Sequence, residues 1–173
     1  MLMHYREDVL FMNVHLSRNA ELFYKALEDI WVAEKSWFVS PNIAVWSCTQ
    51  ATEKTLKGFL RCVNMDYNHG HELEPMLEDV LSVYDLTPET KKYIMYINDF
   101  KGNLRYMKMT TDPTPEDARI AIARTKHILQ ELSNNNAVIR FINEAKEVHV
   151  KVLKSRFEEY SDIDINDDKP EGL

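Results

Sequence analysis

Ala44-Val45-Trp46-Ser47-Cys48-Thr49-Gln50-Ala51-Thr52-Glu53-Lys54-Thr55-Leu56-Lys57-Gly58-Phe59-Leu60-Arg61 reads as one amphipathic helix and decides the fold. Val45, Cys48, Thr49, Thr52, Leu56, Phe59, Leu60 and Val63 recur at helical spacing and share one face. Gln50, Glu53, Lys54, Lys57 and Arg61 fall on the opposite, polar face. Ala44, Ala51, Thr55 and Cys62 flank the apolar stripe, and small side chains there let a neighbouring helix come close. Such a helix has partners on more than one side, so it is expected at the centre of a bundle.

Outward from this stretch the helical pattern continues in both directions. Upstream, Val9, Met12, Leu16, Ala20, Phe23, Leu27, Ile30 and Trp37 keep the spacing, interrupted by Glu34. Either one helix runs over residues 5–38, or two helices break near Ser17-Arg18-Asn19, with Asn19 capping the second; a break or kink is the preferred reading. Ser40-Pro41-Asn42 makes the turn into the central helix. Downstream, the central helix should end near Asn64, and Asp66-Tyr67-Asn68-His69-Gly70 reads as a loop. Pro75, in a first turn, opens a third helix. Thr87-Pro88 and Thr114-Pro115 are start signals for a fourth and a fifth. Asn134-Asn135-Asn136 separates the fifth from a last helix reaching about Tyr160.

No strand-like alternation and no internal repeat accompanies these helices. The expected fold is all-α, an antiparallel up-and-down helical bundle with a longer C-terminal pair. Residues 1–160 form a single domain on this reading, and residues 161–173 form an acidic, disordered tail. Length and composition agree: 173 residues, 45% hydrophobic, suit one packed domain, and only 4 Gly argues against a fold built on tight turns.

The net charge of -7 is uneven, since residues 161–173 hold five acids and one Lys. The nearly balanced body offers no general attraction to nucleic acid. Cys48 and Cys62, fourteen residues apart on one helix, cannot pair within it and are expected as buried thiols. No stretch approaches the roughly 18 uninterrupted apolar residues of a membrane span. With no secretory signal either, a soluble cytoplasmic protein is expected, without membrane contact.

Catalytic signatures such as G-x-S-x-G, a phosphate loop or H-E-x-x-H are absent. His69-Gly70-His71-Glu72 offers two imidazoles and a carboxylate, but no third or fourth ligand is evident. It is read as a loop before a helix, with His71 free for an interhelical contact, and neither a metal nor a cofactor is expected. His127, beside Arg124 and Lys126, is assigned to a solvated face. His149 lies on the last helix. The charge string from Glu144 through Lys146, Glu147, Lys151, Lys154 and Arg156 to Glu159 is likewise read as a solvated surface with i,i+4 pairs.

The central helix resembles that of HEPN domains (higher eukaryotes and prokaryotes nucleotide-binding). Gln50-Ala51-Thr52-Glu53-Lys54-Thr55-Leu56-Lys57-Gly58-Phe59-Leu60 fits the pattern QAxEKxxKxxL, His71-Glu72-Leu73 matches a following H-[DE]-L, and Arg105-Tyr106 matches a later RY. The resemblance covers about residues 18–132, leaving 133–160 as a helical extension. It implies a bundle that dimerises. In ribonuclease members an Arg is followed, after four to six residues, by His. Arg105 is the natural Arg here, but Thr110, Thr111 and Asp112 stand where that His would fall, and none replaces an imidazole as a base. No catalytic residue is therefore assigned. The resemblance implies a noncatalytic module, a homodimer that binds a nucleotide or a nucleotidyltransferase partner in a toxin–antitoxin-like pairing. Gln50, Lys54, Lys57, His71, Arg105 and Tyr106 are its candidate contact residues, with Arg105 holding phosphate and Tyr106 stacking. A ribonuclease with an altered site and a purely structural interaction protein are the alternatives.

Overall fold

The computed structural model describes residues 15–67, 70–106 and 112–160, with side chains described except at 101–106 and 159–160. Among the described residues there are six α-helices and no strand: α1 Glu21–Ser36, α2 Pro41–Cys62, α3 Leu73–Val83, α4 Pro88–Tyr106, α5 Pro115–Leu132 and α6 Ile139–Tyr160. The expected disordered tail and any helix before residue 15 lie outside the described residues. At residues 15–20 the chain is not helical; Ala20 and Glu21 donate backbone hydrogen bonds to the Ser17 carbonyl. The expected break is therefore present, but Asn19 does not cap the helix. Ala20 stands at that position without a side-chain cap.

Local chemistry explains most helix ends. Thr114 and Asp117 form a reciprocal capping box at the start of α5. At α4, Thr87 Oγ1 accepts from the Thr90 amide at 3.2 Å, and the carboxylate a capping box would supply comes from another helix: Glu131 of α5 accepts from the Thr87 amide at 2.6 Å and from both threonine hydroxyls. At the end of α2, Asn64 takes φ 56°; its amide donates to Arg61 O at 3.1 Å and the Met65 amide to Leu60 O at 2.9 Å. That is a Schellman stop with Asn in the left-handed position.

The α2 helix is the centre, packed against α1, α3, α4 and α5. It approaches α1 closely at Gly58, where an added Cβ would lie 3.0 Å from the ring of Phe23. Phe23 and Phe59 are both fully buried, so the glycine makes room that a buried ring cannot give up. The core includes Leu56 and Leu60 of α2, Met76 of α3, Ile94 and Ile97 of α4, and Ile128 and Leu132 of α5.

Helix α6, the expected C-terminal extension, packs onto the bundle. Val138, just before it, and Ile142, Ala145, Val148 and Val152 bury against the same core, and its packing partner is α1. With 22 residues it equals α2 in length.

Candidate functional site

The polar row of α2 is a largely covered seam, with Glu53 buried and Gln50, Lys54, Lys57 and Arg61 half-buried. Glu53 is 4% exposed. One turn on, Lys57 Nζ donates to Glu53 Oε1 at 2.9 Å and to the Gly70 carbonyl at 2.6 Å. His71 Nδ1 meets the same Glu53 oxygen at 2.7 Å. Gly70 has φ +59°, a left-handed turn that glycine adopts without strain. The loop before α3 is thus tied to α2 through Glu53, and His71 makes the interhelical contact its position suggests.

Lys54 pairs with Asp29 of α1. Burial pushes the Asp29 carboxyl above its ordinary range; Lys54 opposes that, and the neighbouring Glu28 and Glu53 add to it. At the far end, Arg61 donates to the Tyr67 hydroxyl at 3.1 and 2.8 Å and to Arg18 O at 2.9 Å. The charges of Lys54 and Lys57 are therefore matched inside the fold. Gln50 is partly buried, one turn ahead of this seam. The structure brings Lys57 and His71 together on Glu53. Arg105 and Tyr106 lie at the last turn of α4, and their side chains are outside the described residues.

Two features escape the sequence pattern. The first continues the line of Gln50 towards the start of α2. Val39, Ile43 and Trp46 are 87%, 51% and 40% exposed, and Phe38 beside them is 70% exposed. Positions 43, 46 and 50 share one face of α2, and Phe38 and Val39 stand in the turn just before the helix. Four large apolar side chains clustered at a hairpin tip mark an interaction surface more than scattered exposed residues do. The only hint in the sequence is the density of apolar residues around Ser40-Pro41, where a turn was expected.

The second is a buried carboxylate on α1. Glu28, 4% exposed, lies 3.0 Å from His149 Nε2 and 3.0 Å from Arg156 Nη1, both on α6. The His149 atom is close but poorly aligned for a hydrogen bond. Burial alone would raise the Glu28 carboxyl; His149 and Arg156 outweigh it and hold the group below its ordinary range. Glu144 adds a second clamp, accepting from the Ser17 amide at 2.6 Å and the Ser17 hydroxyl at 2.8 Å. The solvated reading of this charge string is thus corrected at Glu144 and Arg156, which dock α6 onto the chain around α1. His127, by contrast, sits on the exposed side of α5, edge-on to Tyr93 at 5.1 Å.

Both cysteines are unpaired, and burial pushes the Cys48 thiol to about 12 and the Cys62 thiol to about 11. Neither is set up as a nucleophile. Among the described residues no group of His, Cys, Asp and Glu is arranged to hold a metal ion. No described helix is long and apolar enough to cross a membrane. An open groove of about 580 Å³ lies between α1 and α5, lined by Glu34, Trp37, Arg119, Ile122, Ala123 and Lys126. It is separate from the α2 seam, and its two cations are paired with Glu116 and Glu34.

The HEPN domain family pattern matches residues 16–135. The chain belongs to the HEPN domain family, and α6 lies beyond the matched region. No curated protein and no solved structure matches the chain.

Proposed function

We propose that this chain is a noncatalytic HEPN module, cytoplasmic, that acts by association. It dimerises, and the same line of α2 meets a protein partner, for which a nucleotidyltransferase in a toxin–antitoxin-like pairing is the reading the family resemblance favours. The observation that carries the proposal is the exposed apolar tip, Ile43 and Trp46 on the α2 line that runs into Gln50, with Phe38 and Val39 in the turn before it. A protein surface suits this tip better than a nucleotide does. Lys54 and Lys57 are already paired with the carboxylates of Asp29 and Glu53, so recruiting them to a phosphate would break those pairs. Arg105 and Tyr106 remain the contact pair for any nucleotide at the end of α4. The absence of His after Arg105 at ribonuclease spacing supports the noncatalytic part.

The test is a pair of assays on purified protein. Incubation with single-stranded and structured RNAs should give no cleavage above that of Arg105→Ala. A thermal-shift screen with nucleoside mono-, di- and triphosphates should move the wild-type midpoint no more than that of Arg105→Ala. RNA cleavage that disappears in Arg105→Ala would establish the ribonuclease alternative instead.

A further inference from the structure

Helix α6 packs its inner face on α1 and carries a second, differently composed surface on its outer side. Ile139, Val150 and Phe157 are 42%, 49% and 63% exposed. At 100° per residue they fall within about 20° of one line and span about 27 Å of helix. Beside that line stand Arg140, Lys146, Lys151 and Lys154, all exposed. None of these four is held by an ion pair or hydrogen bond to a described residue; Arg140 lies over the Phe141 ring at 4.4 Å. This contrasts with Lys54, Lys57 and Arg156, each of which sits against a carboxylate. Two acids, Glu147 and Glu158, share the face, leaving it net positive in a chain of net charge -7.

We propose that the outer face of α6 is a docking surface for an acidic amphipathic helix of a protein partner. The three apolar side chains lie at helical intervals along one line, which a partner helix packed at a small crossing angle contacts along its length. The four bases beside that line select acidic flanks on the partner and speed its encounter. Glu147 argues for a helix over an anionic lipid surface, since a helix can set a base opposite it while a lipid surface only repels it. The site is on α6, outside the family-matched residues, and is distinct from the α2 tip.

The probe is a labelled helical peptide of about five turns, with Leu on one face and Glu on the other, titrated with the full chain and read by fluorescence anisotropy. A matched peptide with Lys in place of Glu is the control, and phosphatidylglycerol vesicles are a third arm. The expected result is saturable binding of the acidic peptide alone. Affinity should fall at least tenfold in the exposed double variant Lys146→Glu/Lys154→Glu and also in Phe157→Ser, with circular dichroism unchanged. The charge-reversed variant should gain binding to the basic peptide. No binding of the acidic peptide, equal binding of both peptides, affinity unchanged by the variants, or binding to vesicles alone would overturn the proposal.

Discussion

Glu28 and Glu53 are the same kind of object in two places. Each is a glutamate exposed by 4%, and each is flanked by a histidine and a longer base: His149 and Arg156 for Glu28, His71 and Lys57 for Glu53. They differ in reach. Lys57 is one turn from Glu53, and His71 follows at the end of the next loop. Both partners of Glu28 come from α6, more than a hundred residues away. Glu53 therefore stitches a local motif, whereas Glu28 joins the first and last helices of the described chain. Burying a carboxylate costs several kcal/mol unless its partners are in place. For Glu28 those partners arrive only when α6 docks, so this carboxylate specifies where α6 lies on α1.

The largest expected effect separates the two. Glu28→Ala should destabilise by about 3–5 kcal/mol in urea denaturation, because the buried cluster with Arg156 and His149 loses the carboxylate that holds α6 on α1. Glu53→Ala should cost less, about 2–3 kcal/mol, since the His71 side chain is 59% exposed and can hydrate. A larger loss at Glu53 than at Glu28 would break the comparison.

Acid should reveal the same asymmetry. The folded Glu28 carboxyl is a stronger acid than the unfolded one, so between the two values the unfolded chain binds more protons. Its contribution is present above the ordinary value of 4.5 and is lost as pH falls from there through the lowered folded value. Asp29 has the opposite sign: its folded carboxyl is raised, so it opposes stability above that raised value and the penalty is relieved as pH drops. Wild type should therefore lose stability on acidification more steeply than Glu28→Gln, measured by denaturation at a series of pH values. Equal slopes would remove Glu28 from the acid response.

Gly58→Ala should cost about 1–2 kcal/mol, as the new methyl meets the buried Phe23 ring and overpacking outweighs the helix propensity gained. At the small end, Lys25→Ala should change stability by less than about 0.5 kcal/mol, because the Lys25–Glu21 pair is exposed on both sides. A comparable loss there would mean that burial is not what distinguishes Glu28 and Glu53.

The same contrast explains what the sequence discloses. Helix ends are written locally: Thr114 with Asp117, Thr87 with Thr90, and Asn64 after α2 sit where short-range hydrogen bonding needs them. Helix faces are legible only up to a point. A wheel separates Leu56 from Glu53, but it does not tell how many neighbours α2 has, so a polar face enclosed by α1 and the α3 loop looks like a solvated one. Arg156 and Glu144 mislead for the same reason, since their acceptor and donor lie at residues 28 and 17. The tip is the converse case. Trp46 and Ile43 look like core by composition, yet they are exposed among the described residues.

The most direct test of the central claim is the solution mass of the chain by size-exclusion chromatography with light scattering at micromolar concentration. Wild type should have the mass of two chains, and Val39→Asp/Ile43→Asp the mass of one, with unchanged helical circular dichroism. A monomeric wild type, or a variant that remains dimeric, would contradict association through the exposed face of α2.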